Sequence, residues 1–299
     1  MRIDAHQHFW QISRGDYDWL TPELGAIYRD FDYTDLAPLM DSHQVLGSVL
    51  VQAAASYAET QYLLQLAAQH DRILAVVGWV DFASCDVRQQ IEALALRPKL
   101  RGLRPMIQDI DDVDWMLNDD LSDAFEAMIE QNLCFDALVL PEHLKNLQRL
   151  IDRYPTLKVV IDHGAKPKIA KQFFEPWATQ IAKFADYPNV YCKLSGLVTE
   201  ANAHWQISDI KPYIEHLIKT FGTERLIWGS DWPVLNLAAD YARWISTSEA
   251  LLNALTDAQK EQIFGANAIR FYDIKIPAEL STVLSPELSP ELPPEIQQL

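Results

Sequence analysis

Positive charge is what this 299-residue chain most lacks: 25 Lys and Arg stand against 42 Asp and Glu, a formal net charge of −17. A surface of that sign repels polyanions, which argues against nucleic acid and anionic membranes as partners. It leaves small anionic substrates open, because local arginines outweigh a distant field. Cysteine is sparse as well. Cys85, Cys134 and Cys192 are odd in number and far apart, so no disulfide framework is expected, and Cys134 and Cys192 fall in apolar runs that suit buried free thiols. No apolar run approaches the roughly 18 residues a membrane helix needs. No basic segment leading into an apolar stretch opens the chain, so a cytoplasmic protein is the expectation. A Gly-x-Gly-x-x-Gly after the first apolar run is missing too, which weighs against a dinucleotide-binding fold and an organic cofactor.

What is abundant is apolar residues, 49% of the chain, enough for a substantial core. They gather into eight short runs: "RIDAHQHFW" (2–10), "VLGSVLVQA" (45–53), "ILAVVGWVD" (73–81), "LRGLRPM" (100–106), "LCFDALVL" (133–140), "KVVIDHGA" (158–165), "NVYCKLSG" (189–196) and "LIWGSDWPV" (226–234). Segments of helical period separate most of them, such as 58–71 and 123–132. Strands buried on both faces and alternating with helices specify a parallel sheet, and eight such units in one chain specify a (β/α)8 barrel over residues 1–275. Residues 11–44 are too long and irregular for a simple first connection. They are expected to fold over the barrel mouth, with Tyr17, Trp19 and Arg29 enclosing a ligand. Residues 276–299, ending "SPELSPELPPEIQQL", read as a disordered or extended Pro/Glu-rich tail, since proline every few residues blocks helix and sheet alike.

In a parallel barrel, catalytic groups collect at the C-terminal ends of the strands. There the sequence places His6 and His8, two apart and so on one strand face, then Gln52, Arg104, His163 and Asp231, with Lys193 and Ser195 in the seventh run. So many polar groups in an apolar frame need partners or a ligand to offset desolvation. Imidazoles and a carboxylate suit zinc or a similar ion, and equally suit the positioning of a water that Asp231 deprotonates. His43, His70, His204 and His216 fall in helix- or loop-like segments and read as surface residues.

"DAHQHFW", "YDWL", "RDF", "VQA", "RGLRP", "DHGAKP", "KLSGL" and a late "GSDWP" together resemble the amidohydrolase superfamily, in the branch of sugar-acid lactonases that includes fuconolactonases and rhamnonolactonases. The likeness spans about residues 1–273. It implies a distorted (β/α)8 barrel that adds water to a cyclic ester, with His6, His8, His163 and Asp231 catalytic and Asp231 the general base. Members of the superfamily with two metals carry a lysine ending strand four and a histidine ending strand five. Here Arg104 stands at the first place, and His143 comes three residues after Leu140, so a bridged two-metal centre is not expected. A single zinc, if bound, would take His6, His8 and Asp231. The expected partner is a small sugar lactone, its hydroxyls held by Arg104, Gln52, Lys193 and Arg29 and its apolar face by Trp10, Trp79 and Trp232. The alternatives are a metal-dependent decarboxylase of an unsaturated acid on the same barrel, and a barrel that binds sugar acids without turning them over.

Overall fold

The computed structural model describes residues 1–281. Each apolar run supplies one strand: β1 (Arg2–Gln7), β2 (Val45–Val51), β3 (Ile73–Gly78), β4 (Leu100–Leu103), β5 (Cys134–Ala137), β6 (Val159–Ile161), β7 (Val190–Leu194) and β8 (Leu226–Trp228). They form one sheet in sequence order, every neighbouring pair parallel. The barrel closes just beyond β8, where the Asp231 N–H donates to the His6 carbonyl and the His8 N–H to the Trp232 carbonyl, both at 2.8 Å. Closure by this single bridge, in place of a full ladder, is the distortion. Gly229 makes the seam possible, because a Cβ there would stand 2.7 Å from the His6 Cβ.

Helices α1 (Tyr33–Ser42), α2 (Tyr57–Gln69), α3 (Val87–Ala95), α4 (Ser122–Glu130), α5 (Leu144–Arg153), α6 (Trp177–Ile181) and α7 (Ile207–Phe221) lie between successive strands, and α8 (Tyr241–Leu251) follows β8. Helix α5 shows why they pack: Leu144, Leu147, Leu150 and Ile151 recur at three- and four-residue spacing and are buried. Val49 and Val51 of β2 and Ala75 and Val77 of β3 join Phe271 and Tyr272 in an apolar cluster of their own, to which α10 (Asn267–Phe271), following α9 (Asp257–Glu261) in the chain, also brings Ala268. Among the described residues no helix is long and apolar enough to cross a membrane. Cys134 and Cys192 are buried, Cys85 is exposed, and all three are free.

The first connection is more regular than the sequence suggested. Its second half is helix α1, started by a capping box between Asp32 and Asp35. Reciprocal backbone bonds between Trp10 and Phe31 pin its first half. Ala278–Ser281 form a short helix, and Leu280 packs on the inner cluster, so ordered packing runs past the expected boundary at 276. The rest of the expected tail, residues 282–299, lies outside the described residues. Of the four histidines read as surface groups only His204 is exposed. His70 stacks on Tyr33, His43 packs on Tyr241, and His216 sits against Phe174 and Trp177.

Candidate active site

Asp231 stands at the centre of the barrel mouth. Its Oδ1 lies 3.3 Å from His8 Nε2, 3.6 Å from His6 Nε2 and 3.9 Å from His163 Nε2. All four side chains are buried. Burial alone would raise the Asp231 carboxyl, but the imidazoles, His163 foremost, hold it well below the ordinary carboxylate range. Burial pushes His163 down to about 4 and lowers His6 and His8 as well, so an anionic carboxylate faces neutral rings at neutral pH.

Each ring is oriented from behind. His8 Nδ1 donates to the Val51 carbonyl at the end of β2, 2.8 Å away, which leaves Nε2 a bare lone pair. His163 Nδ1 meets the Ser195 hydroxyl at 2.8 Å. The turn carrying His163 is left-handed through His163, Gly164, Ala165 and Lys166, with φ of 53, 58, 59 and 49°. Non-glycine residues in that region store strain, and here the Trp177 indole N–H holds the turn by donating to the Gly164 carbonyl at 2.7 Å. His6 is held between two cations, its Nδ1 3.0 Å from Lys193 Nζ and its Nε2 3.3 Å from Arg104 Nη1.

Beneath His6 lies a fully buried charge network. Lys193 Nζ donates to Asp136 Oδ2 at 2.6 Å and lies 2.9 Å from Asp162 Oδ1. Arg104 Nη1 reaches Asp162 Oδ2 at 3.2 Å and His6 Nε2 at 3.3 Å, and its Nη2 donates to the Gln52 carbonyl. Burial pushes the Asp136 carboxyl up to about 6; it pushes Asp162 the same way, but Lys193 and His6 outweigh it and hold that carboxyl well below its usual range. Arg104 Nε is buried with no partner, a donor left over.

A cavity of about 260 Å³ opens above this floor. That is close to the lower end of small-molecule sites, roughly 300–1,000 Å³. Of the residues singled out in the sequence, His8, Trp19, Arg104, His163 and Asp231 line it. His6 lies under it, wholly buried. Lys193 and Gln52 are also wholly buried, and they hold other residues: Lys193 braces His6, and Gln52 Nε2 donates to the Arg104 carbonyl at 2.6 Å. Arg29 stacks over Phe31 at 3.6 Å and pairs with Asp35, away from the lining. Trp10 is enclosed by Tyr17, Trp19 and Phe31, and Trp232 by Phe9 and Phe31. Trp79 lines a neighbouring cavity with Phe82 and Trp115. His143 turns back on its own loop, where Nδ1 accepts from the Leu140 N–H at 3.0 Å. The lining adds Leu24, Met106, Gln108, Asp109, Leu138 and Lys166. Lys166 was visible within "DHGAKP"; Gln108 had no signal beyond lying just after a strand.

The donors fit a small divalent cation. His6, His163 and Asp231 bring ligand atoms within 4.8 Å of one another, His163 replacing His8 in the expected trio. The stronger sign is chemical: His8 Nε2 and Asp231 Oδ1 are two acceptors face to face, an arrangement that a proton or cation relieves.

The amidohydrolase family model matches residues 3–274. An L-fucono-1,5-lactonase of Burkholderia ambifaria is 46% identical over 281 residues, 93% of this chain and 97% of that one. An L-fucono-1,5-lactonase of Burkholderia multivorans is 34% identical over 93% of this chain and 98% of its own length. A crystal structure of an amidohydrolase from Burkholderia multivorans with bound zinc superposes with a TM-score of 0.86 at 34% identity, covering 92% of this chain and all of that one. Matched by the family model over residues 3–274 and by relatives along nearly its whole length, the chain belongs to the amidohydrolase family.

Proposed function

We propose that the protein opens the ring of a sugar-derived lactone, an aldonolactone such as L-fucono- or L-rhamnonolactone, by adding water to the ester carbonyl. The observation that carries this is the ionised Asp231 at the cavity floor, ringed by imidazoles and flanked by an arginine with a donor to spare. Lactonase names on relatives aligned over more than nine-tenths of the chain support it.

The steps follow from the donors and acceptors. Asp231 takes a proton from water as the oxygen attacks the carbonyl carbon. That proton settles between Asp231 Oδ1 and His8 Nε2, facing acceptors with none between them. Arg104, through its unspent N–H groups, binds the oxygen on which negative charge develops. Collapse of the tetrahedral species breaks the bond to the ring oxygen, which receives the proton back and leaves as a hydroxyl; the product is the open sugar acid. His163 and His6 stay neutral and fix the carboxylate. A divalent metal, with zinc the proposed identity, would be held by His6, His163 and Asp231 and would supply Lewis-acid polarisation when bound.

The test is acid release from a panel of aldonolactones followed with a pH indicator, with and without chelator. Rapid acidification is the expected result. A silent panel, or release of carbon dioxide from an unsaturated acid, would refute the lactonase reading.

A further inference from the structure

The cavity has two unlike walls. Strand order places the β1 and β8 ends beside each other and the β4 end across the barrel from β8. From the β1 and β8 side come Trp19, Leu24, Val234 and Leu237, an apolar wall; from the β4 side come Met106, Gln108 and Asp109. The Trp19 indole N–H is fixed to the Ala53 carbonyl at 2.7 Å and its ring rests edge-on against Trp10. Its polar atom is thereby spent and its ring lies at the cavity. The Gln108 backbone N–H donates to the Leu138 carbonyl at 3.1 Å, which ties it to the end of β5. Its Nε2 lies 3.5 Å from Asp109 Oδ2, while its Oε1 is buried and without a partner.

A cavity-lining amide with hydrogen-bonding capacity to spare suits a hydroxyl, and a ring with one polar and one apolar side asks for a wall of each kind. We propose that Gln108 and Trp19 are the specificity-determining pair of this site: the Gln108 side-chain amide hydrogen-bonds one particular sugar hydroxyl, and the Trp19 indole packs the apolar side of the monosaccharide ring. Neither takes part in proton transfer. The inference rests on the lactonase reading and adds to it how one lactone is told from another.

The experiment compares kcat/KM across lactones that differ by single missing hydroxyls, for the wild type, Gln108→Leu, Trp19→Ala and Trp19→Phe. The wild type discriminates against one deoxy analogue by roughly 10- to 100-fold, the effect of one unmet buried hydrogen bond. In Gln108→Leu that discrimination vanishes while turnover of the same deoxy analogue is kept. Trp19→Ala raises KM for the whole set with kcat held, and Trp19→Phe restores it. A Gln108→Leu variant that slows every lactone by one factor, or that keeps the wild-type preference, overturns the proposal even though the enzyme is a lactonase. A wild type inert on all of them overturns the lactonase reading, and this inference falls with it.

Discussion

His163 shows how much of this site depends on single atoms. Its Nδ1 is bonded to Ser195, and the next residue, Gly196, passes so close that a Cβ there would stand 2.4 Å from that nitrogen. Gly196 also has φ +60°, a conformation that disfavours any side chain. Gly196→Ala is therefore expected to push the imidazole off Asp231 and lower kcat/KM on the order of 100-fold, the scale of a 1 Å misplacement. Steady-state kinetics beside a melting curve checks this; full activity in a folded variant would contradict it. The four mouth residues were legible in the sequence because strand periodicity and the strand-end rule together place a residue without knowing its neighbours. The role of Lys193 was not. Its three acceptors come from β1, β5 and the turn after β6, and nothing in the one-dimensional order shows that they meet.

Among the connecting elements, the loop from β2 to α2 is held by a buried carboxylate. Glu59 accepts from the Ala53 and Ala54 N–H groups at 2.9–3.1 Å, and burial still pushes its pKa up to about 7. A carboxyl raised in the folded state contributes stability that is complete below its unfolded value, 4.5, and is lost as pH rises through about 7. Relative to Glu59→Gln, the wild type should gain on the order of 3 kcal/mol between pH 8 and pH 4.5. Urea unfolding of both proteins at several pH values measures this, and a constant difference would rule it out. Each strand was legible as a bounded apolar run. Helix α1 was not, since Pro38 lies inside it and its start depends on the capping of Asp32.

For the molecule as a whole, the barrel is finished by its last helices. Tyr272 donates to Asp136 Oδ2 at 2.7 Å, and Asn267 donates to the Thr223 and Leu226 carbonyls at 2.7 Å. A chain ending at Ser281 should match the full chain in melting temperature and activity, whereas one ending at Ala266 should fail to fold. Loss of activity on removal of residues 282–299 alone would show that they serve the site. The barrel itself was legible because eight apolar runs alternating with helices admit few other folds. Its seam was not: Asp4, which accepts from the Ser230 N–H at 2.8 Å and the Tyr241 hydroxyl at 3.1 Å, reads in sequence as one more acidic residue. The most direct test of the account is ring opening of aldonolactones by the wild type and Asp231→Asn side by side. Rapid acid release is expected from the first and a loss of roughly 100- to 10,000-fold in the second, with the melting temperature little changed. A folded Asp231→Asn protein that opens lactones at the wild-type rate would contradict it.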